Sequence, residues 1–137
     1  MSFVIDTSAT MPWCFPDEQT AQSESLLDRL TGDEAYAPAI WTLEVANTLS
    51  MAERKGRISV TTVDAFIGQL RRLKVNLDHD HEARAFSMIL ALSRRHALTT
   101  YDASYLELAM RLSLPLATRD TDLKRAAQSA GIELIPA

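Results

Sequence analysis

The chain has 137 residues, 47% of them apolar and 23% charged, the mix of one folded globular domain spanning 1–137. Its 18 acidic and 14 basic residues leave a net charge of −4, which excludes a general basic coat for nucleic acid but not an enzyme that meets nucleic acid at one site. A single cysteine, Cys14, excludes an intrachain disulfide and a cysteine-based zinc site, and no apolar run reaches the roughly 20 residues of a membrane span. The first residues, Met-Ser-Phe-Val-Ile-Asp, lack the basic start of a secretion signal, so a reducing, cytoplasmic setting is expected.

Phe3-Val4-Ile5 reads as a buried strand that ends at Asp6. Asp17 to Leu30 is predicted helical, with Leu26, Leu27 and Leu30 on one face and Gly32 as its stop. Ala35 to Pro38 is a short extended piece. Trp41 to Lys55 follows as a helix, with Val45, Leu49 and Ala52 aligned and Gly56 at its C-terminal cap. Ser59 caps another helix whose apolar face is Val63, Phe66, Ile67, Leu70 and Leu73. Val75 to Leu77 is a strand. Glu82 to His96 is a helix with Phe86, Ile89 and Leu90 turned inward. Asp102 opens a helix carrying Tyr105, Leu108, Ala109 and Leu112 in register. Leu114 to Thr118 is a strand; Leu123, Ala126, Ala127 and Ala130 form a helical stripe stopped by Gly131; Ile132 to Ile135 is a last strand. Short apolar strands alternating with amphipathic helices predict an α/β domain with a mostly parallel sheet, its strands covered on both faces. In such sheets ligands bind beyond the carboxyl ends of the strands.

Four acids fall where that rule puts a site. Asp6 follows the first strand, Asp120 lies two residues past the Leu114–Thr118 strand, Asp102 is in the first turn of a helix, and Glu44 sits one turn into another. Grouped carboxylates repel one another, and the usual remedy is a hard divalent cation. A site with acids alone suits metal-assisted hydrolysis of a phosphodiester, in which water activated by the cation is the nucleophile and a carboxylate orients it. Taken singly, each acid also reads as a helix cap or a solvated rim residue, Asp102 above all.

Four blocks of the sequence resemble PIN-domain proteins of the VapC toxin type. They are Val4-Ile5-Asp6-Thr7-Ser8 with Trp13-Cys14-Phe15-Pro16-Asp17-Glu18, Ala37 to Asn47 around Glu44, Leu98 to Ala109 around Tyr101-Asp102-Ala103, and Leu116 to Leu123 around Asp120. They stand in the family's order and span almost the whole chain. The resemblance implies a three-layer α/β/α sandwich and an endoribonuclease dependent on Mg²⁺ or Mn²⁺. In it, Asp6, Glu44, Asp102 and Asp120 are the metal ligands and the catalytic residues. It also implies a homodimer and a small VapB-like antitoxin that covers the active-site groove. One departure is visible: many relatives carry a lysine where this chain has Pro12.

Other residues carry competing readings. Thr7, Ser8 and Thr118 either orient a carboxylate or phosphate or cap local turns. Asp122 fits a first-turn charge better than a fifth ligand. The Asp78-His79-Asp80-His81-Glu82 tract reads as a polar loop with an acidic helix start rather than a transition-metal site. His96 belongs at a helix C-terminus. Trp13, Trp41 and Cys14 read as packing residues, and the pairs Arg71-Arg72 and Arg94-Arg95 as exposed helix faces. Two other functions fit an acidic strand-end site. A phosphoacceptor regulatory module needs a lysine at a late strand end, and the only lysines, Lys55, Lys74 and Lys124, are read as helical or helix-terminal. A non-catalytic module would instead dock a basic peptide in the acidic pocket, and a lack of measurable divalent-metal binding would favour that reading.

Overall fold

The computed structural model describes residues 1–137. A five-stranded sheet in the order β3-β2-β1-β4-β5 runs through the molecule, and every pair of neighbouring strands is parallel. The strands are β1 (Phe3–Ile5), β2 (Ala35–Pro38), β3 (Val75–Asp78), β4 (Leu116–Ala117) and β5 (Leu134–Ile135). All three residues of β1 are fully buried. Successive strand side chains point to opposite faces, so both faces of the central strand are covered, as a three-layer α/β/α arrangement requires.

The helices are α1 (Thr7–Thr10), α2 (Ala21–Arg29), α3 (Ile40–Arg54), α4 (Val60–Arg72), α5 (His81–Arg84), α6 (Leu90–His96), α7 (Thr100–Leu112) and α8 (Thr121–Ser129). The chain winds from β1 through β2 to β3 on one side, then crosses back to lay β4 on the other side of β1. The strand order therefore reverses between β1 and β4. That gap is where parallel α/β sheets open a crevice at their carboxyl ends.

Helix α7 packs across β1, β2 and β4. Ala103 through Ala109 are all buried, a helix enclosed on every side rather than half-buried. Leu112, expected on the inner face, is 37% exposed, because it is the last residue as the helix emerges from the core. The core is one cluster of 31 buried apolar residues, Trp13, Cys14 and Trp41 among them. Both indoles are satisfied inside it: Trp13 donates to the main-chain oxygen of Ser23, and Trp41 to the Thr10 hydroxyl.

The last two strands are shorter than expected, Leu116–Ala117 against Leu114–Thr118 and Leu134–Ile135 against Ile132–Ile135, and two helices differ as well. The helix expected from Asp17 begins later: Pro16–Glu18 form a 3₁₀ turn, and α2 starts after Thr20, which shares a capping box with Ser23. Pro16 has no N–H to give, and the local side-chain bonds of Thr20 and Ser23 fix the true start. The helix expected from Glu82 to His96 is interrupted by a π-helical turn at Ala85–Ile89. The wider turn shifts the side-chain phase, so Ile89 is buried while Phe86, expected inside, is 93% exposed. A half-buried ion network lies nearby. Arg111 of α7 donates to both oxygens of Asp78 at the end of β3, at 3.1 and 2.8 Å, and to Glu107 at 2.9 Å.

Candidate metal and active site

Asp6 leaves β1 at the centre of the sheet and is buried. Its backbone still pairs with β4, donating to the Ala117 oxygen, while its side chain caps α1 by accepting from the Ala9 N–H at 2.9 Å. Ser8 donates to the same carboxylate at 2.8 and 3.0 Å, and Thr118, just past β4, donates to Oδ2. Asp120 caps α8 by accepting from the Leu123 N–H at 2.8 Å, and its own N–H donates to the Thr118 hydroxyl at 3.0 Å. Thr118 therefore ties the two strand-end acids together.

Glu44 projects from the second turn of α3 and accepts from the Tyr105 hydroxyl of α7 at 2.5 Å. Thr7 stands 3.4 Å from both Glu44 and the Tyr105 oxygen. Asp102 is not the cap of its helix. Thr99 holds that position, accepting from the Asp102 N–H at 3.1 Å, and this leaves the Asp102 carboxylate free. Asp6, Glu44, Asp102 and Asp120 line one cavity of about 410 Å³ at the β1/β4 crevice, together with Thr7, Ser8, Glu18, Arg57, Tyr105 and Arg119.

Negative charge exceeds positive in this cavity, where the four acids and Glu18 face only Arg57 and Arg119. None of the four carboxylates is ion-paired. Burial pushes the Asp6 carboxyl from its ordinary 3.8 to about 6, against the lowering effect of its hydrogen bonds, and the Asp102 charge adds to the rise. Asp102 is likewise pushed up to about 6, by burial and then by the charges of Asp120, Glu44 and Asp122. The Tyr105 hydroxyl is driven far above its ordinary value by burial and by the Glu44 carboxylate it serves, so it stays a donor. An oxygen-only donor set with surplus negative charge suits a hard cation such as Mg²⁺ or Mn²⁺. The side chains as placed do not gather three or more metal ligands about one point.

The remaining candidates lie elsewhere. Asp122 is exposed in the first turn of α8, 3.6 Å from Arg125, and does not line the cavity. His79, between β3 and α5, and His81, the first residue of α5, are at the surface. His96 ends α6 and is buried, and its main-chain oxygen accepts from Arg125. Arg72, Arg94 and Arg95 are exposed near helix C-termini, and Arg71 borders a separate apolar groove between α3 and α4. None of the lysines lines the cavity, and Lys74 precedes β3 at the opposite end of the sheet.

Three lining residues give little sign of themselves in the sequence. Tyr105 reads as one more apolar residue of its stripe. Arg119 stands between Thr118 and Asp120 without a pattern of its own. Arg57, which follows Gly56, carries no local signal, because its partners Asp17 and Glu18 are 40 and 39 residues away.

Comparison with known proteins gives this arrangement a family. The PIN domain family matches residues 3–129. The chain is 38% identical over 104 residues to the ribonuclease VapC3 of Mycobacterium tuberculosis, covering 74% of this chain and 72% of that protein. Its fold matches the crystal structure of PAE2754 from Pyrobaculum aerophilum with a TM-score of 0.69, at 20% identity over 92% of this chain and 84% of that one. It also matches a toxin–antitoxin complex from Klebsiella pneumoniae with a TM-score of 0.58, at 18% identity over 87% of each chain. The chain belongs to the PIN-domain family, and within it to the VapC type.

Proposed function

We propose that this protein is a Mg²⁺- or Mn²⁺-dependent endoribonuclease and the toxic component of a toxin–antitoxin pair. The observation that carries the reading is the cavity itself: four carboxylates from four separate elements face it, and none has a counter-cation. The Mycobacterium relative is named a ribonuclease, and one structural neighbour is a toxin–antitoxin complex; both support this direction. In this reading the chain is one PIN domain over 1–137, acts as a homodimer, and is neutralised by a small VapB-like antitoxin.

Asp6, Glu44, Asp102 and Asp120 hold the cation and are the catalytic residues. When bound, the cation lowers the pKa of a water and stabilises the attacking and leaving oxygens of an in-line displacement at phosphorus. The protein's own part is orientation. Ser8, Thr118 and the Ala9 N–H fix the Asp6 carboxylate, Tyr105 and Thr7 fix Glu44, and the α8 N-terminus fixes Asp120. A carboxylate of the set accepts the proton that the water gives up.

The test is cleavage of RNA by purified protein in Mg²⁺ or Mn²⁺, beside Asp6→Asn, with RNA ends sequenced after expression of each. Wild type is expected to cut and Asp6→Asn to lose about 10³-fold or more in rate while keeping its circular dichroism spectrum. Equal cleavage by the two proteins refutes the assignment.

A further inference from the structure

A cavity lined by four unpaired carboxylates repels the polyanion it is proposed to cut, so some cation beside it must receive the strand. Only two basic side chains line it, Arg57 and Arg119. Arg119 is already committed. Its Nε donates to the Ala137 main-chain oxygen at 3.2 Å, and its terminal nitrogens to the Glu18 main-chain oxygen at 2.9 Å and the Thr20 hydroxyl at 3.1 Å. All three of its nitrogens are engaged, and they pin the Pro16–Glu18 turn and the last residue to the end of β4.

Arg57 is different. Every bond it makes comes from one nitrogen, Nη2, which reaches Asp17 at 3.0 and 3.1 Å and Glu18 at 2.7 Å. Its Nε and Nη1 donate to no group of the protein. The guanidinium lies over the Phe15 ring, 3.8 Å from the centroid, which fixes its plane, and the side chain is 39% exposed. Both paired-donor edges of a guanidinium include Nη2, so a phosphate gripped through two parallel N–H donors takes Nη2 from Asp17 or Glu18 and finds its second donor in the unengaged Nε or Nη1.

We propose that Arg57 is the substrate-positioning cation of the site, gripping a backbone phosphate of the RNA strand beside the carboxylate cavity, with Asp17 and Glu18 as its competitors in the free protein. This rests on the ribonuclease reading for the identity of the strand. Asp17 and Glu18 keep the guanidinium at the cavity mouth when no RNA is present, and they weaken RNA binding by adding negative charge next to the phosphate. The arrangement makes opposite predictions for the two sides of one clasp.

The experiment measures cleavage kinetics and, separately, binding of a fluorescent single-stranded RNA without turnover, in an Asp6→Asn background. Arg57→Gln is expected to raise KM about ten-fold with kcat nearly unchanged. In the Asp6→Asn background it is expected to weaken binding about ten-fold and to reduce the slope of log affinity against log salt by about one phosphate contact. Arg57→Lys, which keeps the charge but not the planar fork, falls between. Asp17→Asn with Glu18→Gln is expected to move KM and binding the other way. Arg94→Gln, an exposed arginine away from the cavity, serves as the control for charge alone. The proposal is overturned if Arg57→Gln behaves like Arg94→Gln, or if loss of Asp17 and Glu18 weakens binding. If wild type cuts no RNA, the ribonuclease reading fails by itself, and the binding series still decides whether Arg57 grips the strand.

Discussion

Asp6 does two jobs that pull in opposite directions. Its oxygens accept bonds from Ser8, Thr118 and the Ala9 N–H, which favours a charged carboxylate, yet burial raises its pKa to about 6. A carboxyl whose folded pKa lies above its unfolded 3.8 binds more protons when folded, so the stability it contributes falls as pH rises from about 4 and is fully lost above about 6. Asp102 shifts the same way, half-exposed and with a smaller effect on stability. The expected outcome is that, in chelator at about pH 7, Asp6→Asn is more stable than wild type by about 2 kcal/mol in urea titrations, the gain vanishing near pH 4. Added Mn²⁺ is expected to reverse the order, raising the melting temperature of wild type and not of the variant. Equal stability of the two proteins in chelator at both pH values would show that burial does not destabilise the Asp6 charge. These features follow from the Thr118 hydroxyl on Asp6 and the Asp102 charge near it, whereas sequence reasoning gathers the acids through the strand-end rule and the family resemblance. It also reads Asp102 as a cap, since an aspartate and a threonine three residues apart compete for that role and nothing local says that Thr99 wins.

At the scale of elements, the strands are legible because a short apolar run bounded by polar residues fits little except a buried strand, and the parallel sheet follows from the alternation of such runs with helices. The interrupted helix is not legible. Phe86, Ile89 and Leu90 share a face of an ideal α-helix, and only the π turn at Ala85–Ile89 separates them. Substitutions there test the phase directly. Phe86→Ser is expected to change unfolding free energy by less than about 0.5 kcal/mol, and Ile89→Ala to cost about 3 kcal/mol, both read from chemical denaturation. Comparable losses at the two positions would mean the helix is regular and Phe86 is inside. The Arg111 network is equally hidden. Glu107 lies on a buried helix, where apolar residues are the rule, and its charge is balanced by Arg111 at 2.9 Å and Arg84 at 3.4 Å, the first of which also reaches Asp78 across the end of β3.

For the molecule as a whole, three pairings at the site span distant parts of the chain: Tyr105 with Glu44, Thr118 with Asp6, Arg57 with Asp17. Local patterns therefore reveal the elements, a candidate set of acids and hydroxyls beside them, while the bond from Tyr105 to Glu44 comes only with the fold. The order of strands extends this to assembly. β1, at residues 3–5, needs both β2 and β4 as neighbours, and β4 begins at Leu116. A chain ending at Ser113 would leave β1 as a bare edge and strip Leu116, Ala117, Leu123, Ala126 and Ala127 from the core. Such a fragment is expected to show no cooperative unfolding transition by circular dichroism; a sharp transition near that of wild type would contradict it. Because loop closure over roughly a hundred residues is slow compared with local helix formation, the first strand must wait for the last part of the sequence. On the ribosome, Asp6 thus stays exposed while the hundred or so residues between β1 and β4 are made, and the cavity closes around it only after Asp120 has joined the chain.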